Sequence, residues 1–341
     1  MTFYQKGGLA LIALGATLLA SCSSSTKSTP VAPAPKAIHI NYTAIGASDA
    51  VGYGASVPCT PASPAVGAAD PTCPEAGASG YVPDIVHGFA QFGFIAALQD
   101  LGISGAVIGP DIQAEANMFD SFTGANACQP RPPADQIPAN FIQNELGNVN
   151  PNATFITIFA GGNDTNAIVN DLACGAGGAT QASQTAFITA QITAFGDDFA
   201  TLVGGAHQIA PSATIVVANL PNFANIPFAV GAPAAIRQAL QAVSVSIDTD
   251  VINTVVANGV PVVDLLCNPA SYDPANFYID GFHPNDAGYA LLAQQFLTAA
   301  LSDNPPAPQA QCAQEAISMT KLRQAVPVGR PLNTYLKAPL R

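Results

Sequence analysis

The sequence predicts an α/β domain built on a mainly parallel sheet of about five strands, with helices covering both faces in three layers. Short apolar runs alternate with longer stretches of helix-like apolar spacing. At 49% hydrophobic residues, the 341-residue chain has enough apolar surface for one sizeable core. Residues able to carry chemistry follow the apolar runs or sit in glycine-bearing loops, where parallel sheets gather ligand-binding groups.

The expected strands are residues 38–46, 105–108 with its approach, 154–160, 214–219 and 260–265. The expected helices are residues 81–101, 180–203, 233–256 and 285–301, each bounded by glycine, proline or asparagine. Loops rich in proline, glycine and alanine at 56–80 and 122–138 read as insertions.

Both termini fall outside this pattern. Residues 1–21 carry Lys6 and then an apolar run shorter than the roughly 20 residues that span a bilayer, as expected of an export signal. The junction Leu19-Ala20-Ser21-Cys22 resembles the lipobox of bacterial lipoproteins, which implies that Cys22 becomes the lipidated first residue and that Ser23 directs it to the outer membrane. Residues 22–37, rich in Ser, Thr, Pro and Ala, then form a flexible tether. The domain is expected to run from 38 to 301, followed by a Pro-rich and then basic tail at 302–341. Solvated disorder is the default expectation for that tail, and docking onto the acidic body by charge is the alternative.

With Cys22 set aside, Cys59, Cys73, Cys128, Cys174, Cys267 and Cys312 make an even set in an exported chain, so disulfides are expected. Proximity ranks the pairs as Cys59 with Cys73, Cys128 with Cys174, and Cys267 with Cys312. No close Cys/His spacing of the zinc type occurs, so no metal is expected, and the serine chemistry read below requires no cofactor. Residues 37–320 carry all 22 acidic residues against Arg131 and Arg237, a net of −20, while the last 21 residues carry +5. A body this acidic repels polyanions, which argues against nucleic acid as a partner.

Three segments carry the candidate chemistry: Gly46-Ala47-Ser48-Asp49, Gly161-Gly162-Asn163-Asp164 and Asp280-Gly281-Phe282-His283-Pro284. Ser48 offers a hydroxyl at the end of the first strand. His283 becomes a general base if a carboxylate fixes its tautomer, and Asp280 stands three residues earlier. Alone, that pair could equally cap the next helix, and Ser48 could be a turn former. Asn163 offers a side-chain amide, and Gly105 a backbone N–H, toward an oxygen that becomes negative. Asp164 reads as a structural residue that orients its loop. His39, His87 and His207 lack such a carboxylate and read as structural.

With these blocks in order, the chain resembles the SGNH, or GDSL-like, hydrolase superfamily over about residues 38–301. That resemblance implies a flavodoxin-like fold and a serine ester hydrolase. It makes Ser48 the nucleophile, His283 the base, Asp280 its orienting acid, and the Ser48 and Gly105 amides with Asn163 the oxyanion hole. Two points stay open. The family often has aspartate where this chain has Ala47, and Gly102 is an alternative to Gly105. Lipid or short-chain acyl esters are the expected substrates, with acetylated sugars, lysophospholipids or thioesters as alternatives. A non-catalytic envelope lipoprotein is the rival of a different class, and a monomer anchored through lipid is the expected state.

Overall fold

Phe155–Phe159 is apolar apart from Thr157 and buried at every position, as in a parallel strand covered on both faces. A computed structural model of the chain describes residues 38–58, 78–119, 128–132, 136–137, 139–315 and 322–336, all within one compact unit, Ala37–Arg341. Numbered along the chain, the strands are β1 (His39–Gly46), β2 (Ile95–Asp100), β3 (Phe155–Phe159), β4 (Thr214–Ala218) and β5 (Val262–Val263). They form one sheet in the order β2-β1-β3-β4-β5, with every pairing parallel. This is the flavodoxin-like order, and its switch point lies between β1 and β3.

The register matters for function. Gly46 pairs with Phe159, Phe159 with Ala218, and Ala218 with Val263, so the carboxyl ends of four strands lie in one row. Whatever follows each strand therefore emerges along one edge. Over one face α1 (Tyr81–Gln91) packs against α7 (Asp286–Leu301), with the Tyr81 and Phe296 rings stacked at 5.5 Å. Over the other, α4 (Gly162–Cys174), α5 (Gln181–Ile209) and α6 (Ala234–Ser246) pack together, joined by the short α2 (Pro110–Ala116) and α3 (Phe141–Asn144).

The strands expected at 38–46, 154–160 and 214–219 are present, and that at 260–265 shrinks to two residues. Residues 81–101 are not one helix. Gly93 adopts φ 82°, a conformation that side chains resist, and the chain breaks there so that Ile95–Asp100 runs as the edge strand β2. With the free side of β1 occupied by β2, residues 105–108 form no strand: Ser104–Gly105 is a turn, and Val107 makes a single bridge to Asn140. The helix expected at 233–256 winds as α6 and then widens into a π turn, Ile247–Val251, where buried Asp248 accepts the Leu220 N–H at 2.8 Å.

α4 is a helix the sequence did not announce, because its buried positions include Asp164, Asn166, Asn170 and Asp171. Two of these are bonded from outside the helix. Asp164 accepts the Ile108 N–H at 2.9 Å, and Asn170 accepts the Leu332 N–H at 3.1 Å.

The second of these contacts comes from the tail, which corrects the expectation of solvated disorder for residues 322–336. Leu322, Val326 and Leu332 are at most 2% exposed, and Gln184 on α5 both donates to and accepts from the Val326 backbone. Gly329 donates to the Ala173 carbonyl at the end of α4. Arg323 and Arg330 remain exposed. The segment is thus held by apolar burial and backbone pairing, not by the charge attraction that the sequence suggested. Disulfides join Cys128 to Cys174 at the end of α4 and Cys267 to Cys312, two of the expected pairs. In the chain-entropy account each closes a loop worth ~4 kcal/mol. The export signal, Cys22, the tether and the Cys59–Cys73 pair lie outside the described residues.

Two expectations follow from this packing. Leu332→Ala should lower the unfolding free energy by about 2–5 kcal/mol, as for other buried leucines, whereas Arg330→Ala should stay within about 0.5 kcal/mol; denaturant titration separates them. The second concerns pH. Burial above all pushes the Asp164 carboxyl up to about 7, and burial with nearby Glu115 pushes Asp171 up to about 8. The folded chain therefore keeps protons that the unfolded chain releases above about pH 4, so stability is lost as pH rises from there through 8. The melting temperature should fall between pH 5 and pH 8.5, and Asp171→Asn should flatten that slope.

Candidate active site

The site begins where β1 ends. Gly46 packs so closely that a Cβ there would lie 2.9 Å from Ala50 Cβ, and the chain turns at once, with the Ala47 carbonyl accepting the Ala50 and Val51 amides. Ser48 sits in that turn and is 5% exposed. Its Oγ lies 2.8 Å from His283 Nε2, and His283 Nδ1 lies 2.7 Å from Asp280 Oδ2. Three side chains separated by up to 235 residues thus form one hydrogen-bonded chain.

The loop before α7 is built to present the last two. Asp280 Oδ1 accepts the backbone amides of Phe282 and His283 at 2.9 and 3.0 Å, which folds the loop back on itself. Gly281 has φ 71°, and a Cβ on it would lie 2.8 Å from the Phe228 nitrogen, so a side chain is excluded twice over. Asn285 then caps α7 by accepting from Ala287 and Gly288. Burial by itself would push the Asp280 carboxyl up. The hydrogen bond and charge of His283, with the two amides, overturn this and hold it below the usual range. An ionised Asp280 accepts the proton on Nδ1, which leaves Nε2 to accept the Ser48 hydroxyl; the tautomer follows from this network.

The three candidate donors lie on segments bonded to one another. Asn163, the second residue of α4, gives one N–H of its amide to the Ala106 carbonyl at 2.8 Å. Its other N–H, the Ser48 backbone N–H and the Gly105 backbone N–H have no acceptor among the described residues. Ile103 donates to the Gly46 carbonyl at 3.1 Å, which ties the Gly105 loop to the nucleophile turn. Gly105 takes φ 82°, and no atom lies within 4 Å of where its Cβ would be, so its surroundings are open. Gly102 differs. Its amide is spent on Asp100 Oδ1, and the residue is packed against Ala50 and Val51 beneath the turn.

A cavity lined by Ala47 and Asp49, on either side of Ser48 in the chain, and by Asn163 is mainly apolar, with Phe159, Leu220, Phe223, Phe282 and Leu292 among its lining. Asp164 faces away from it to hold Ile108, in keeping with a structural part. His39 stands at the far end of β1, His87 within α1 and His207 in the last turn of α5. Cys267, Cys312 and Glu315 have metal-ligand spacing, but the two sulfurs are joined to each other.

Sequence reasoning missed two neighbours of His283. Burial holds the Asp49 carboxyl, next to the serine, above its usual range, and the charge of His283 opposes this only in part. Tyr53 lays its ring 4.5 Å from the imidazole. Its only signal in the sequence is an aromatic residue between Gly52 and Gly54, shortly after the serine.

Among solved structures, the chain is similar to an extracellular lipase from Streptomyces rimosus at 17% identity, covering 73% of this chain and 94% of that one with a TM-score of 0.44. A phospholipase A1 from Streptomyces albidoflavus matches at 17% identity over 75% and 95%, also at 0.44. An acetylxylan esterase from Geobacillus stearothermophilus matches at 14% identity over 76% and 94%, again at 0.44. No curated protein matches the chain significantly in sequence. A family model does, the GDSL-like Lipase/Acylhydrolase family, over residues 44–291, which takes in every segment of the site from the nucleophile turn to α7. The chain belongs to the GDSL-like lipase/acylhydrolase family of hydrolases.

Proposed function

We propose that this protein is a serine ester hydrolase acting on neutral acyl esters, exported and anchored in the outer membrane through a lipid on Cys22. The observation that carries the reading is the pair of contacts, 2.8 Å from Ser48 to His283 and 2.7 Å from His283 to Asp280, beside three N–H groups with no acceptor among the described residues. An inert turn has no use for donors left bare; a tetrahedral oxyanion needs them.

In the proposed reaction, His283 Nε2 takes the Ser48 proton as Oγ attacks the acyl carbon. Asp280 steadies the imidazolium, and the negative oxygen is met by the Ser48 and Gly105 amides and Asn163. The imidazolium then returns its proton to the leaving alcohol, and water repeats the sequence on the acyl-enzyme to release the acid. The apolar lining of the cavity supports an acyl group as the part bound there, and the net charge of the body disfavours anionic substrates. A binding module of the envelope would need neither the proton relay nor the bare donors.

Ser48→Ala should abolish hydrolysis of a short-chain chromogenic ester with folding intact by circular dichroism; unchanged turnover would refute the nucleophile. Asn163→Ala should lower kcat by about 10²- to 10³-fold with KM much less affected, the loss expected for one oxyanion donor. Because the base must be unprotonated to act, turnover should decline in acid, and a profile flat down to pH 4 would contradict the role of His283.

A further inference from the structure

The turn that presents Ser48 does not end its work there. Its Tyr53 N–H returns to the Ser48 carbonyl at 2.9 Å, and its Tyr53 carbonyl accepts the hydroxyl of Tyr289 from α7 at 2.7 Å. Gly52 and Gly54 flank the residue at φ 72° and 92°. A Cβ on Gly54 would lie 2.7 Å from the Pro284 carbonyl and 2.9 Å from Tyr278 Cβ, so the turn is pressed directly onto the loop that carries His283. Backbone contacts on both sides therefore fix where the Tyr53 ring goes. It lies 4.5 Å from the imidazole, centroid to centroid, tilted by 51°. Phe282 meets the same imidazole edge-on at 4.9 Å and 84°, and Tyr278 braces Tyr53 in a T-shaped contact at 6.1 Å.

The geometry points to Tyr53 as a positioning residue that holds the His283 imidazole in the plane shared with Ser48 and Asp280 and stabilises its charged form with the ring face. This rests on the proposed reaction, in which His283 becomes an imidazolium during attack. A cation set against an aromatic face is favoured by the ring's quadrupole, and the effect is present only while the charge is. Stabilisation confined to the charged state lowers the barrier to attack and leaves ground-state binding alone. The phenolic oxygen has no hydrogen-bond partner among the described residues, and Tyr53 is 38% exposed, so the role is assigned to the ring.

Three variants separate the ring from its bulk. The main-chain bonds of Tyr53 survive all of them. Tyr53→Phe should keep kcat within about twofold. Tyr53→Leu shields the imidazole to a similar extent but has no π face, and should lose kcat by about 3- to 30-fold, the rate equivalent of a cation–π contact, with KM little changed. Tyr53→Ala should lose at least as much. The groups facing the imidazole from neighbouring elements are Asp280, hydrogen-bonded to it, Asp49 from the nucleophile turn, and the Ser48 hydroxyl. All are the same in the Leu and Phe variants. The acid limb of kcat/KM should therefore move to lower pH in Tyr53→Leu relative to Tyr53→Phe, by about half a unit or more.

Equal kcat and equal acid limbs for Leu and Phe would overturn the inference. So would a loss in Tyr53→Phe as large as in Tyr53→Leu, which would assign the effect to the hydroxyl, or a change in KM alone, which would make Tyr53 a substrate contact. Ser48→Ala, assayed beside them, keeps the two claims apart. If it retains activity the proposed reaction fails, whereas a dead Ser48→Ala with indifferent Tyr53 variants removes only the role of Tyr53.

Discussion

The 2.8 Å hydrogen bond between Ser48 Oγ and His283 Nε2 is the contact on which the site depends, and it is made between residues 235 positions apart. Nothing local to either segment brings them together. A parallel sheet in the order β2-β1-β3-β4-β5 does, because its register sets the ends of β1, β3, β4 and β5 in a row and the strand order switches between β1 and β3. Ser48 leaves the first of those ends and Asn163 follows the second. α7, packed over the same face as α1, starts directly after His283 and fixes the height at which the imidazole arrives.

Close backbone approach turns that proximity into hydrogen-bond geometry. Gly46 lets the nucleophile turn fold tightly onto Ala50, and Gly281 lets the Asp280 loop sit against Phe228. Burial then does electrostatic work. It opposes the charge on Asp280, yet His283 and two amides hold that carboxylate ionised, so the imidazole tautomer is decided before any substrate arrives. Farther out, the strap of residues 322–336 and the Cys128–Cys174 bridge both fasten the end of α4, the helix whose first turn carries Asn163. A polar helix with buried Asp164 and Asp171 needs such external support, since its own sequence supplies a modest apolar face.

Much of this was legible in the sequence, and the parts that were not share a cause. β1 alternates polar and apolar residues, β3 and β4 are short apolar runs, and α7 begins at an asparagine cap. The Asp280-Gly281-Phe282-His283-Pro284 run carries its geometry locally, since the aspartate bonds the amides two and three residues on. β2 was absorbed into the preceding helix because the apolar spacing of residues 95–101 suits either state; Gly93 was the available sign. α4 and the strap draw their stability from each other across more than 140 residues, through pairs such as Asn170 with Leu332, and no window of sequence contains both halves. Gly105 and Gly102 were inseparable by type. They part only in three dimensions, where one amide is spent on Asp100 and the other has no acceptor among the described residues.

The central claim is that one hydroxyl in this chain is made nucleophilic by one imidazole. Treatment of the intact protein with a fluorophosphonate, followed by peptide mapping by mass spectrometry, tests it most directly. The account predicts a single adduct, on the peptide holding Ser48, that fails to form when His283 is replaced by alanine. An adduct on any other residue, or labelling of Ser48 at an undiminished rate without His283, would contradict it.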